Sequence, residues 1–167
     1  MFQTIAEFTR AWQAESANTQ KIMSALTDAS LAQKVSPEGR SLGRLAWHVV
    51  QTLGEMGGQA GLKVEAANEK TPQPAVAADI ADAYRAGAAA VDLAVRSAWT
   101  DGDLAGEIDM YGEKWTRAMS LQALMSHEIH HRGQMTVLMR QAGLRVPGVY
   151  GPSQDEWGGM GMEPPAV

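Results

Sequence analysis

The sequence contains no cysteine. That absence excludes disulfides, thiolate ligands to a metal and a cysteine nucleophile, so any sulfur chemistry has to draw its thiol from another molecule. No stretch approaches the ~20 consecutive apolar residues that a bilayer-spanning helix requires. The opening segment Met1-Phe2-Gln3-Thr4-Ile5-Ala6-Glu7 has no basic leader followed by an apolar run. A cytoplasmic location without membrane association is therefore expected. Positive charge is also short: 14 Lys and Arg stand against 19 Asp and Glu, for a net charge of −5, and they are scattered singly. A phosphate-tracking surface is not available in that pattern, which argues against nucleic acid as a partner. Histidine is scarce as well, at four residues, and that makes each position informative.

What is present fits one domain over residues 1–167, divided into a helical part, 1–145, and an irregular tail, 146–167. From Phe2 to about Leu26 apolar residues return at helical spacing, with Ile5, Phe8, Trp12, Ile22, Met23 and Leu26 sharing a stripe. The Pro, Gly and Ser of Val35–Arg40 mark a loop, Ser41 is placed to cap a helix, and a second helix is expected over Leu42–Leu62. Lys70-Thr71-Pro72-Gln73-Pro74 breaks helix geometry twice and reads as an exposed connector. A third, alanine-rich helix is expected over Asp79–Trp99, then a turn at Thr100–Asp103. Ile108–Thr116, with Gly112 inside it, permits a short hairpin, and Ser120 is placed to cap a fourth helix over Leu121–Ala142. Gly143 supplies a left-handed helix stop, and the tail, rich in Pro and Gly, should lie over the bundle without regular structure. Four long helices with at most a token of strand give an all-α fold, a four-helix bundle.

Helix four carries His127-Glu128-Ile129-His130-His131-Arg132-Gly133-Gln134. Residues four apart on a helix differ by ~40° in direction and ~6 Å in height, so His127 and His131 project side by side, the spacing of a chelating pair. Leu124 and Leu138 lie on the same stripe, which turns the two rings inward. His48, in Leu45-Ala46-Trp47-His48-Val49-Val50, also shares its side of a helix with apolar neighbours. Three imidazoles from two helices would leave a divalent ion with open positions, the arrangement of catalytic and not of structural sites. The bland alternative is hydrogen-bonded core histidines, and it would leave ring nitrogens unpaired at ~1–3 kcal/mol each.

Other residues around the pair carry expectations of their own. His127 to His131 also spells H-E-x-x-H, in which Glu128 would activate water, but no later histidine completes a protease site and no edge strand is available to align a peptide. Glu128 and Glu55, the latter two turns beyond His48, are candidates for moving a proton. Arg132 and Gln134 are candidates for contacting substrate or backing the ligands, with an exposed ion pair as the alternative for Arg132. His130 points away from the pair. Gly133, costly in mid-helix, is expected to permit close approach of another helix. Trp12, Trp47 and Met135 fall at stripe spacing and read as core.

The motifs Ser41-Leu42-Gly43-Arg44-Leu45-Ala46-Trp47-His48, His127 to Gln134, Arg140-Gln141-Ala142-Gly143-Leu144-Arg145-Val146-Pro147 and Tyr150-Gly151-Pro152-Ser153 resemble the DinB-like family, the YfiT-like metal-dependent hydrolases. The resemblance covers nearly the whole chain. It implies a four-helix bundle, frequently a homodimer, with one metal held by a His of the second helix and two His four apart near the last, which transfer to His48, His127 and His131. Zinc and nickel are the ions associated with the family, and relatives include enzymes that use a low-molecular-weight thiol. The leading expectation is activation of such a thiol for S-transfer to a small electrophile. Hydrolysis of a small ester or amide at the same site is the second, and a non-catalytic, stress-related metal-binding bundle is the third.

Overall fold

The computed structural model describes residues 1–166. Four long helices, α1 (Ile5–Ser24), α2 (Leu42–Gln59), α3 (Ala77–Ala98) and α4 (Arg117–Gln141), form a bundle. Between α3 and α4 lies an antiparallel hairpin, β1 (Glu107–Met110) and β2 (Glu113–Thr116). Helices α1 and α2 do not neighbour in the way their order suggests: each packs against both α3 and α4, so the cross-section runs α1, α3, α2, α4. Phe8, Trp12, Ile22, Leu53, Ile80 and Leu138 are fully buried in the shared core, each contributing roughly 1.5–3 kcal/mol of apolar burial. Trp12, Trp47 and Met135 are in that core as their spacing indicates.

The helix ends follow local chemistry. Thr4 Oγ1 accepts from the Glu7 amide at 3.1 Å while the Glu7 carboxylate accepts from the Thr4 amide at 3.2 Å, closing a capping box that starts α1. Ser41 caps α2 through the Arg44 amide at 3.2 Å, as expected. Helix α4 starts earlier than its spacing suggests. Thr116 Oγ1 accepts from the Met119 amide at 3.1 Å, and Ser120 is instead buried with its hydroxyl donating to the Arg117 carbonyl at 2.8 Å. The strand β2 delivers Thr116 in extended geometry, which makes it the available N-cap.

Two connections are more ordered than the sequence suggests. After α1 a 3₁₀ turn, Asp28–Ala32, lends its Asp28 Oδ1 to the Ala77 amide at 2.7 Å, supplying the cap that Val76 cannot. The loop after it is closed at its base by an antiparallel bridge between Lys34 and Ser41. Thr71 in the Pro-rich connector accepts through its carbonyl from Trp47 Nε1 at 3.0 Å and from Gln51 Nε2 at 3.1 Å, pinning the connector to α2. In the hairpin, Tyr111 at φ 53° and Gly112 at φ 85° form the two-residue turn between Met110 and Glu113, the left-handed pair that matches strand twist. Gly143, at φ 75°, closes α4 as expected, and among the described residues beyond it the tail has only a 3₁₀ turn at Trp157–Met160.

No helix among the described residues is long and apolar enough to cross a membrane.

Candidate metal centre

Helix α4 works on two faces. One, carrying Glu128, Arg132, Met135 and Met139, is buried, and its polar members meet α1. The other, carrying Leu124, His127, His131 and Leu138, faces α2, where His48 is waiting between buried Trp47 and Val49. Ligand atoms of the three rings all lie within 4.8 Å of one another. His127 Nε2 is 3.2 Å from His48 Nε2 and 3.1 Å from His131 Nε2. Nitrogens bound to one ion at ~2.0–2.1 Å stand about 3.3 Å apart in tetrahedral geometry and about 2.9 Å apart at right angles. Both of these separations fall between those limits, and with the third pair also within 4.8 Å the set could hold one divalent ion.

The protonation chemistry points the same way. Burial, followed by repulsion from the neighbouring rings, lowers His48 and His127 from the usual 6.5 to about 4, and burial also lowers His131. The Arg40 charge opposes protonation of all three. At neutral pH the rings are therefore uncharged and have lone pairs to give. Gln134 selects the tautomer of one of them. Its amide satisfies both neighbours when Nε2 donates to His130 Nε2 at 3.1 Å and Oε1 accepts from His131 Nδ1 at 2.7 Å. His131 then carries its proton on Nδ1 and presents the Nε2 lone pair to the cluster. His130 thus takes part at one remove, through Gln134. The buried Nδ1 of His127 has no hydrogen-bond partner among the described residues.

The remaining candidates lie elsewhere. Glu128 is on the opposite face, 1% exposed, where its Oε1 accepts from the Thr19 hydroxyl at 2.7 Å. Burial pushes its carboxyl up to about 7. It has no line to the histidine cluster, so the H-E-x-x-H pattern here joins two ligands to a core residue. Arg132 is 2% exposed, so its ion pair is not a surface one. It donates to the Glu15 carboxylate at 2.6 Å, to the Glu15 carbonyl and Thr19 hydroxyl at 3.0 Å each, and to the Tyr150 hydroxyl, tying α4 to α1 and to the tail. Glu55 accepts from the Tyr111 hydroxyl at 2.9 Å and lines a separate pocket with Asn68 and Lys70. Gly133 is exposed, and a Cβ placed on it would meet nothing within 4 Å, so it makes no close helix contact.

A cavity of about 470 Å³ adjoins the cluster, bounded by Leu45, Leu138, Val35 and Val137, by Arg40, and by His131 and Gln134 themselves. The contribution of Arg40 is not visible in any motif. The only signal is a cation immediately before the Ser41 cap, eight residues ahead of His48.

The sequence model of the DinB family matches residues 1–164. The chain belongs to the DinB family. An uncharacterised protein of Bacillus subtilis, YrdA, is 43% identical over 167 residues, the full length of both chains. The crystal structure of a DinB-like protein from Bacillus cereus is 46% identical and superimposes with a TM-score of 0.86, over 90% of this chain and all of that one. A DinB-like protein of B. subtilis, YjoA, at 20% identity and a TM-score of 0.68 over 88% of this chain and 99% of its own, shares the fold. The histidine cluster is consistent with a metal site in a chain of this family.

Proposed function

We propose that this DinB-family chain is a metal-dependent enzyme that activates a low-molecular-weight thiol and transfers its sulfur to a small electrophile. His48, His127 and His131 would hold one divalent ion, zinc or nickel, through Nε2 atoms. A divalent ion in that set lowers the pKa of a coordinated thiol and so makes it nucleophilic at neutral pH. The observation that carries the reading is the union of the three-imidazole cluster with a substrate-sized cavity, through His131 and Gln134, which belong to both.

The chain's own residues have definable parts in this scheme. Gln134 fixes the tautomer and direction of His131. Leu45, Leu138, Val35 and Val137 give the cavity an apolar wall for the body of a small molecule. With no cysteine in the chain, the sulfur comes from the co-substrate. In the reaction the thiol proton leaves to solvent, a sulfur–carbon bond forms, and the electrophile's leaving group departs with the bonding pair. Thiol transfer is favoured over ester or amide hydrolysis because no carboxylate among the described residues joins the cluster or the cavity: Glu55 is engaged by Tyr111 and Glu128 by Thr19. Hydrolysis at such a centre is usually assisted by a general base, which a soft, acidic thiol does not need.

The test incubates zinc- and nickel-loaded protein with a panel of cellular thiols and 1-chloro-2,4-dinitrobenzene, following thioether formation. Metal-dependent turnover that His127→Ala abolishes supports transfer. Ester cleavage that proceeds without thiol overturns it in favour of hydrolysis, and stabilisation by metal with neither activity overturns it in favour of a structural ion.

A further inference from the structure

We infer that Arg40 is the anion anchor of a binding subsite continuous with the histidine cluster, so that the small molecule entering it carries an oxyanion on an apolar body. This deepens the thiol-transfer reading and rests on it.

Three observations carry it. Arg40 is the one ionised side chain among the residues lining the 470 Å³ cavity, whose other walls are Val35, Leu45, Val137 and Leu138 with His131 and Gln134 at the polar edge. Arg40 is exposed and has no ion-pair partner among the described residues, and no carboxylate lines the cavity to neutralise it. A guanidinium presents a planar fork that pairs with carboxylate or phosphate-type oxygens through two parallel bonds. Second, Arg40 is held by a closed loop: Lys34 and Ser41 bridge at its base, the Gly39 amide donates to the Ser36 carbonyl at 3.0 Å, and Ser41 is itself the cap of α2. The fork is thus presented from a fixed base, which reduces the ordering cost of binding. Third, the cavity leaves two large apolar side chains open, Val35 at 69% and Val137 at 53% exposure, next to a cation. An apolar chain ending in an oxyanion covers the valines and neutralises Arg40 at once, and its other end reaches His131.

Zinc-loaded full-length protein is titrated calorimetrically with three probes of matched length: 4-mercaptobutanoate, 3-mercaptopropylphosphonate and the neutral 4-mercapto-1-butanol. The expected result is that at least one anionic thiol binds about tenfold or more tightly than the neutral one, and the comparison of carboxylate with phosphonate states which oxyanion is preferred. Arg40→Gln should bring the anionic probes down to the neutral level with zinc content and neutral-thiol affinity unchanged. Arg40→Lys should retain part of the preference, and Arg44→Gln, a charge change nearby, should retain all of it. No preference for the anionic probes, or a preference that survives Arg40→Gln, overturns the assignment. A second arm uses metal-free protein and hexanoate: binding lost in Arg40→Gln supports the anchor even if zinc or thiol fails to bind, and no hexanoate binding by the wild type overturns it. Failure of the zinc arm alone counts against the metal-dependent reaction and not against Arg40.

Discussion

Gln134 shows how a single amide can orient a ring of a candidate metal centre from outside the histidine cluster. Its carbonyl oxygen accepts the His131 Nδ1 proton at 2.7 Å, which leaves the Nε2 lone pair of that ring facing His127. Replacing it by alanine frees the ring to rotate and to change tautomer. Gln134→Ala is expected to weaken zinc binding by roughly 10- to 100-fold, the usual cost of losing such a partner, with little change in thermal stability because the side chain is exposed. A competition titration against a chromogenic chelator reads this directly. Arg132, two residues earlier, should behave in the opposite way. Arg132→Leu leaves the Glu15 carboxylate and the Thr19–Glu128 pair without their cation in a buried setting, and a loss of roughly 3–5 kcal/mol is expected. Urea unfolding would show a large fall while zinc affinity of the folded protein stays near wild type. These two neighbours could not be told apart from sequence. Both sit close to His131, and only the helical phase relative to α1, set by tertiary packing, turns one into the core and the other toward the ligands.

At the scale of elements, the pattern of apolar residues was sufficient for all four helices and the hairpin, because each helix buries a stripe at helical spacing and the hairpin has a left-handed Gly at its turn. Boundaries were less legible where two residues competed to cap. Thr116 and Ser120 both stand before the apolar run of α4, and the choice between them depends on β2, whose extended geometry ends at Thr116. Thr116→Ala should cost about 1 kcal/mol, a fall of about 2–4 °C in melting temperature for a chain of this size. Ser120→Ala should cost less, since it removes only a bond to the carbonyl of its own helix; calorimetric scans of the two variants side by side check the order. Other features had no local signature at all. The cap of α3 comes from Asp28, 49 residues away, and the anchoring of the connector runs through Trp47 and Gln51. Long-range partners of this kind are fixed by where the helices come to rest, which spacing along one helix does not encode.

For the whole molecule, the order α1, α3, α2, α4 places α2 against α4 and so brings a histidine from each into one cluster. The pair four apart on α4 was legible from helix geometry alone. The convergence of His48 on it was not, because that depends on which helices neighbour, and family likeness supplied what periodicity could not. An ion held by that cluster would tie two helices together, adding binding energy to the folded state only. The most direct measurement is zinc stoichiometry and affinity, by competition titration and elemental analysis, of the wild-type chain and of His48→Ala, His127→Ala and His131→Ala. One tightly held ion per chain, with each substitution weakening binding by at least tenfold, is the predicted result. Loss on changing His127 or His131 but undiminished binding in His48→Ala, or no stoichiometric ion at all, would contradict a centre shared between α2 and α4.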